Sequence, residues 1–293
     1  MRITQSMITR SLLQNINGNR QSMSTVQNTI STGKEVQSSS DDPVRFSRVS
    51  RFRKTMEQNQ QYMRNIVDAR GWVDMSGSLL EDVYNQILSV KNYTVQAADA
   101  SNNESTRAML ASKIQNHLDE IVNLFNTQYL GRYLFGGTMT TAAGPFAIEG
   151  DTVTYNGNSG EVKRRIADNF DVVINITGQQ VVDTNIFSSL KNLRTAMATN
   201  DLDGITTALS SIEGLAEQIQ GLQSSLGSLK NQLSMTQNRL EISNTNLSSF
   251  ISNEEDVDMV EAIAKYNAEE LAYRAALKTA SEALNLNLLN YLR

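Results

Sequence analysis

The 293-residue chain contains no cysteine, so neither a disulfide nor a thiolate metal site is available to it. Proline occurs only twice and tryptophan once. Proline breaks helices, so a chain nearly free of it can run in long helical stretches. Histidine occurs once, as His117, beside Leu118 and near Asp119 and Glu120. A metal centre asks for more nitrogen or sulfur donors at helical spacing, so His117 is expected at a surface or boundary, with no metal. No hydrophobic run approaches a membrane span, and MRITQSMITR has no apolar core of signal-peptide length. The expectation is no membrane insertion, and either a cytosolic protein or export by a route that reads no such signal. The Gly33-Lys34 pair is not a phosphate loop, because Asn28 stands where the first glycine belongs and Glu35 where a hydroxyl belongs. With one histidine, no cysteine and acids that suit helix caps and exposed faces, neither a catalytic site nor a cofactor is expected.

The formal net charge of −5 hides an asymmetry. Residues 1–54 carry nine Lys or Arg against three acids, whereas residues 251–293 carry eight acids against four bases. The cluster Arg45, Arg48, Arg51, Arg53 and Lys54 has only Phe46 and Phe52 beside it, and both suit a core. It is therefore expected on a solvated or subunit-facing helix and not on nucleic acid.

What is abundant is apolar residues spaced three and four apart. Residues 1–30 carry Leu12, Ile16, Met23, Val26 and Ile30, interrupted by Asn19. ISTGKEVQSSSDDPVRFSR follows and reads as a joint. Gly33 suits a left-handed helix stop, Asp41 or Asp42 a cap, and Pro43 the first turn of a new helix. The next seam runs Tyr62, Ile66, Ala69, Val73, Ser76, Leu80, Val83, Ile87, Val90, Thr94, Ala97. A further helix carries Leu110, Ile114, Leu118, Ile121 and Phe125. Residues 138–183 read as β, with TVTY and EVKRRIA flanking an Asn156-Gly157 pair expected to turn a hairpin. So small a module is expected to sit on the outside, leaving a helical body that folds without it. Helix returns near Phe187. From Ile205 the spacing runs through Leu209, Ile212, Ala216, Ile219 and Leu222, whose two successive steps of three predict local overwinding. Ser252 and Glu255 are spaced for a capping box. The last helix carries Met259, Ile263, Tyr266, Tyr273, Leu277, Ala280 and Leu284, with a second row at Val260, Ala264, Leu271 and Ala275. Its apolar seam and acids complement the acid-free first helix, so the two ends are expected to pair.

The fold expected is mainly α: a long antiparallel coiled-coil-like bundle formed by the amino- and carboxyl-terminal halves, with a small inserted β module. The expected layout is a terminal helix over 1–42 paired with 255–293, helical halves over 43–137 and 184–254, and the β module over 138–183.

Several segments together, MRIT, STGKEV with DDP, QQYMRNIVDARGWVDMS, GRYLFGGT, EEDVDMVEAIAKY and LNLLNYLR, resemble the flagellin superfamily, the axial proteins of the bacterial flagellum. The resemblance implies an extracellular structural subunit that joins hook to filament and self-associates into a short layer. It implies the first hook-associated protein on one side, flagellin on the other, and a cytosolic export chaperone beforehand. It places subunit packing on Leu12, Ile16, Met23, Val26, Ile30, Ile263, Leu271, Leu277, Leu284 and Leu288, with Gly33, Asp41, Asp42 and Pro43 as the joint. The alternatives are a flagellin that builds the filament itself, or a cytosolic coiled-coil scaffold.

Overall fold

The computed structural model describes residues 5–141 and 143–291; of residues 5, 6, 8 and 283–291 only the backbone is described. The helices are α1 (Gln5–Thr32), α2 (Pro43–Ala98), α3 (Glu104–Phe125), α4 (Gly178–Val182), α5 (Ile186–Ala198), α6 (Leu202–Glu255) and α7 (Met259–Tyr291). Between α3 and α4 lie the short strands β1 (Gln128–Tyr129), β2 (Arg132–Tyr133), β3 (Phe146–Glu149), β4 (Thr152–Tyr155), β5 (Lys163–Ala167) and β6 (Phe170–Val173). They pair β1-β2, β3-β4 and β5-β6, each antiparallel. The fold is thus mainly α with a small β segment. The chain divides into two compact units, one of residues 58–242 and one of residues 1–57 with 243–293.

The 58–242 unit is built on the seam of α2. Every expected position from Ile66 to Ala97 is buried, Ser76 and Thr94 included. Those two hydroxyls donate back to the carbonyls of Trp72 (2.9 Å) and Val90 (2.8 Å), so burial leaves neither unpaired. The α6 seam repeats every seven residues at Ile205, Ile212, Ile219, Leu226, Leu233 and Leu240, with Ala208, Leu215 and Thr236 buried between them. The two successive steps of three expected at Ala216, Ile219 and Leu222 are therefore not part of the buried seam. The line through Leu209 and Ala216 runs one residue beside the true seam of Ala208 and Leu215. Three cross-links fix the direction of the two helices: Asp74 with Lys230 (2.7 Å), Tyr84 with Gln220 (3.0 Å) and Lys91 with Glu213 (2.9 Å). As one partner's number rises the other's falls, so α2 and α6 run antiparallel.

Helices α3 and α5 pack against each other and bring Leu110, Ile114, Leu118, Ile121 and Phe125 into the same core. The turn between α2 and α3 is held by Arg107, which is buried. Its Nε donates to the Ala97 carbonyl (2.8 Å), its Nη2 to the Asp99 carbonyl (3.0 Å) and its Nη1 to Asn200. A guanidinium here satisfies helix-end carbonyls that have no intrahelical donor. Sequence reading passed over this residue. His117 sits half-buried with Nδ1 2.5 Å from Gln86 Oε1 and its ring 5.6 Å from Tyr93; burial, with Lys113 nearby, holds its pKa below the usual 6.5.

The β segment shares its core with the helices. Phe125 of α3 meets Phe135 edge-on at 5.1 Å and Phe146 of β3 at 5.5 Å, and Phe146 meets Phe187 of α5 at 5.4 Å. Ile166, Val172, Ile174 and Ile176 are buried in the core shared with the helices. Asn126 ties β3 to the end of α3, donating to the Phe146 carbonyl (2.8 Å) and accepting from its N–H (2.9 Å). The hairpin expected at Asn156-Gly157 is not there. β3 turns into β4 at Gly150 (φ +61°), and β5 into β6 at Asn169 (φ +51°). Asn156-Gly157 instead lies on the connection from β4 to β5. In GRYLFGGT, Gly137 has φ +67°, and a Cβ there would collide with the backbone oxygen of Asn158.

Candidate assembly site at the paired ends

In the second unit α1 packs along α7. The chain leaves α1 and enters α7 at one place, so the two helices are antiparallel. The α1 stripe faces inward: Val26 is buried, and Leu12, Ile16, Met23 and Ile30 are half-buried, with Asn19 among them.

The inward face of α7 matches the expected seam at Tyr266, Tyr273 and Ala280 and departs from it elsewhere. Ala262 and Ala280 are buried, and Tyr266, Glu269, Tyr273 and Ala276 are half-buried, so small residues and ring stems make the seam. Ile263, Leu271 and Leu277 lie outside it, exposed by 48, 71 and 43%. The side chains of Leu284 and Leu288 fall outside the described residues. A spacing of three and four fits several faces of a helix with apolar residues all round, and sequence alone did not choose between them. Among the described residues the charge complement between α1 and α7 forms no ion pair. Among the described residues neither Arg10 nor Arg20 makes an ion pair, and the pair on α7 is Arg274 with Glu270 of the same helix (2.6 Å).

The joint is more elaborate. Gly33 ends α1 at φ +70°, its N–H donating to the Thr29 carbonyl (2.9 Å). Asp42 is the cap of α2, its Oδ1 accepting from the N–H groups of Val44 and Arg45 (2.9 Å each), with Pro43 in the first turn. Asp41 instead folds the preceding loop, accepting from the N–H groups of Gln37 (3.0 Å) and Ser38 (2.8 Å). Those backbone donors hold both carboxyls below the ordinary 3.8: for Asp41 mainly Ser38, for Asp42 mainly Arg45.

Facing this loop is the break between α6 and α7. The capping box expected at Ser252 and Glu255 does not form, because α6 continues through Glu255. The cap of α7 is Asp258, which accepts from the N–H groups of Val260 (2.9 Å) and Glu261 (3.3 Å). Glu255 is instead a buried carboxylate that receives Lys34 Nζ (2.9 Å) and Arg53 Nη2 (2.7 and 2.5 Å). Its carbonyl accepts from the Glu35 N–H (2.7 Å), and the Gly33 carbonyl accepts from the Val257 N–H (3.0 Å), so the two breaks are sewn backbone to backbone. Arg45 bridges Glu35 (2.8 Å) and the Glu254 carbonyl (2.9 Å), and Arg48 reaches Glu254 at 2.9 Å. Arg45, Arg48 and Arg53 are therefore not free surface cations. They clamp the carboxyl-terminal break onto the amino-terminal one.

The bacterial flagellin N-terminal helical region matches residues 3–140, and the bacterial flagellin C-terminal helical region matches residues 209–292. The chain belongs to the flagellin superfamily. Both ends of the superfamily pattern are present, and they include the paired helices and the joint. Flagellar hook-associated protein 3 of Escherichia coli is 30% identical over 200 residues, which cover 61% of this chain and 62% of that protein. The chain thus spans less than two thirds of the curated hook-associated relative it matches. Phase 1 flagellin of Salmonella naestved is 26% identical over 159 residues, covering 54% of this chain and 32% of that protein. In fold, the chain is similar to the crystal structure of Bacillus cereus FlgL, with a TM-score of 0.60 at 23% identity, covering 69% of this chain and 98% of that one. Among the described residues no three His, Asp or Glu side chains are grouped to hold a metal, and no helix is long and apolar enough to cross a membrane.

Proposed function

We propose that this superfamily member is a structural subunit of the extracellular flagellum, self-associating into a short layer that joins hook to filament. The carrying observation is α7. It is apolar on two sides, and α1 covers one of them while Val260, Ile263 and Leu271 stand exposed on the rest. A helix apolar on opposite sides is stable in water only when both are covered, which a neighbouring subunit would do. In this reading residues 1–42 with 255–293 form the axial pair. Leu12, Ile16, Met23, Val26 and Ile30 bind the pair together, and Ile263, Leu271 and Leu277 meet neighbours. The junction is preferred over the filament because the greater identity is to hook-associated protein 3. The first hook-associated protein, flagellin and a cytosolic export chaperone follow as partners.

The test is complementation of a flagellated strain lacking its own hook-associated protein 3. The wild-type chain restores attached filaments. Leu271→Asp leaves thermal unfolding within about 0.5 kcal/mol of wild type, since its side chain is already in water, yet abolishes attachment. Long polymers from the purified chain alone would assign it to the filament instead. Normal attachment with Ile263→Asp and Leu271→Asp combined would refute packing through this face.

A further inference from the structure

One face of α6 is uncovered in the 58–242 unit and has a distinctive order of side chains. Taken every seventh residue it reads Gly214, Gly221, Ser228, Met235, Ile242. Met235 and Ile242 are exposed by 66 and 64%, although both are large and apolar. Gly214 and Gly221 are not required by packing within the chain, since a Cβ at either would meet nothing within 4 Å. Glycine weakens a helix interior relative to alanine, so two of them on an open face call for a reason outside the protomer. Small residues at a helix face let a second backbone approach closely and leave holes for large side chains.

The order is self-complementary about Ser228. Gly221 and Met235 lie seven residues before and after it, and Gly214 and Ile242 fourteen. Two copies of α6 laid antiparallel, with a two-fold axis at Ser228, bring every large residue opposite a glycine. Glu217 and Arg239 lie eleven residues before and after Ser228, so the same register sets each at the level of the other copy's opposite charge. Both are exposed, and neither makes an ion pair among the described residues. Their flanking neighbours Gln218, Ser225, Asn231 and Asn238 are polar, uncharged and exposed, so no like charges are opposed across the axis. A parallel in-register pair would instead set Ile242 against Ile242 and Glu217 against Glu217.

We propose that the free chain forms an antiparallel two-fold dimer through this face of α6. Such an interface is isologous and closed, so it stops at two copies. The pairing rests on α6 alone. A consequence does rest on the axial reading above: copies that stack with a common polarity cannot use this contact, so the dimer holds unassembled chain apart from the growing layer.

The absence of native cysteine supplies the experiment. In full-length Ser228→Cys the two thiols would face each other across the axis, and mild oxidation is expected to give a disulfide-linked dimer. Adding Gly221→Arg fills the hole for Met235 and should reduce cross-linking at least about tenfold while leaving helical circular dichroism intact, since arginine favours helix over glycine. Glu217→Arg should weaken the dimer, and combining it with Arg239→Glu should restore it. Absence of cross-linking in Ser228→Cys, cross-linking unaffected by Gly221→Arg, or failure of the charge swap to restore the dimer would each overturn the proposal. Failure of the wild-type chain to restore attached filaments in the complementation assay, with the dimer intact, would count against the axial reading and leave the pairing standing.

Discussion

Removing the Glu255 carboxylate tests the clamp at the paired ends most directly. Glu255 is buried, yet its partners are not: the Lys34 and Arg53 side chains are 41 and 46% exposed. Breaking a fully buried pair costs about 3–5 kcal/mol, because the abandoned charge stays out of water. Breaking an exposed pair costs about 0–1 kcal/mol. In Glu255→Ala the two cations can rehydrate, so the cost should fall between these limits, at about 2 kcal/mol. The backbone bonds from Glu35 N–H to the Glu255 carbonyl and from Val257 N–H to the Gly33 carbonyl report the opening. When closing outpaces exchange, about 2 kcal/mol corresponds to roughly thirtyfold faster hydrogen exchange at those two amides. Glu261→Ala is the control, because Glu261 is exposed and makes no ion pair among the described residues. Exchange at Glu35 and Val257 that stays at the wild-type rate in Glu255→Ala would show that the backbone bridge stands without the carboxylate, and would refute the clamp.

Asp258→Ala removes the cap of α7 and should cost about 1 kcal/mol, read as faster exchange at Val260 and Glu261. Asp41 and Asp42 have carboxyls depressed below 3.8 in the folded chain, so their contribution is complete above that value and drains away as pH falls through the lower folded values. The 35–45 segment should therefore open on acidification below 3.8 and remain closed at higher pH; exchange at Gln37, Ser38, Val44 and Arg45 that is indifferent to pH, once intrinsic rates are divided out, would contradict this. Phe146→Ala should destabilise the 58–242 unit by about 3–5 kcal/mol in urea unfolding, because Phe125, Tyr155 and Phe187 all pack on that ring. A detachable β segment would instead leave helix unfolding unchanged.

The α2 seam was legible because one apolar face of a regular helix has a single solution, and even Ser76 and Thr94 fell in register. The joint was legible at Gly33, Asp42 and Pro43, whose chemistry is local. Glu255 was not. Its spacing from Ser252 looked like a cap, and only the fold brings Lys34 and Arg53 to it from more than two hundred residues away. Arg107 was hidden for the same reason, as two of its acceptors are backbone carbonyls that no side-chain pattern announces and the third, Asn200, lies far along the chain. The α7 face was legible at Tyr266, Tyr273 and Ala280 but not at Ala262 and Ala276, because alanine gives too weak an apolar signal to stand out beside Ile263 and Leu277. The Asn156-Gly157 signal failed because its two flanking strands pair with others, β4 with β3 and β5 with β6.

The pairing of α1 with α7 also sets an order of events in time. The contact joins the first helix to the last, and everything from Gly33 to Asp258 lies between them. Closing a loop of that length in an unfolded chain costs about 5 kcal/mol of chain entropy, a cost that the pairing of α2 with α6 lowers once it has formed. A polypeptide made from its amino end must therefore carry α1 with its stripe uncovered until α7 has been synthesised. Contacts so distant in sequence are slow to form, so the terminal pair is expected to close after the helices that lie between its two members.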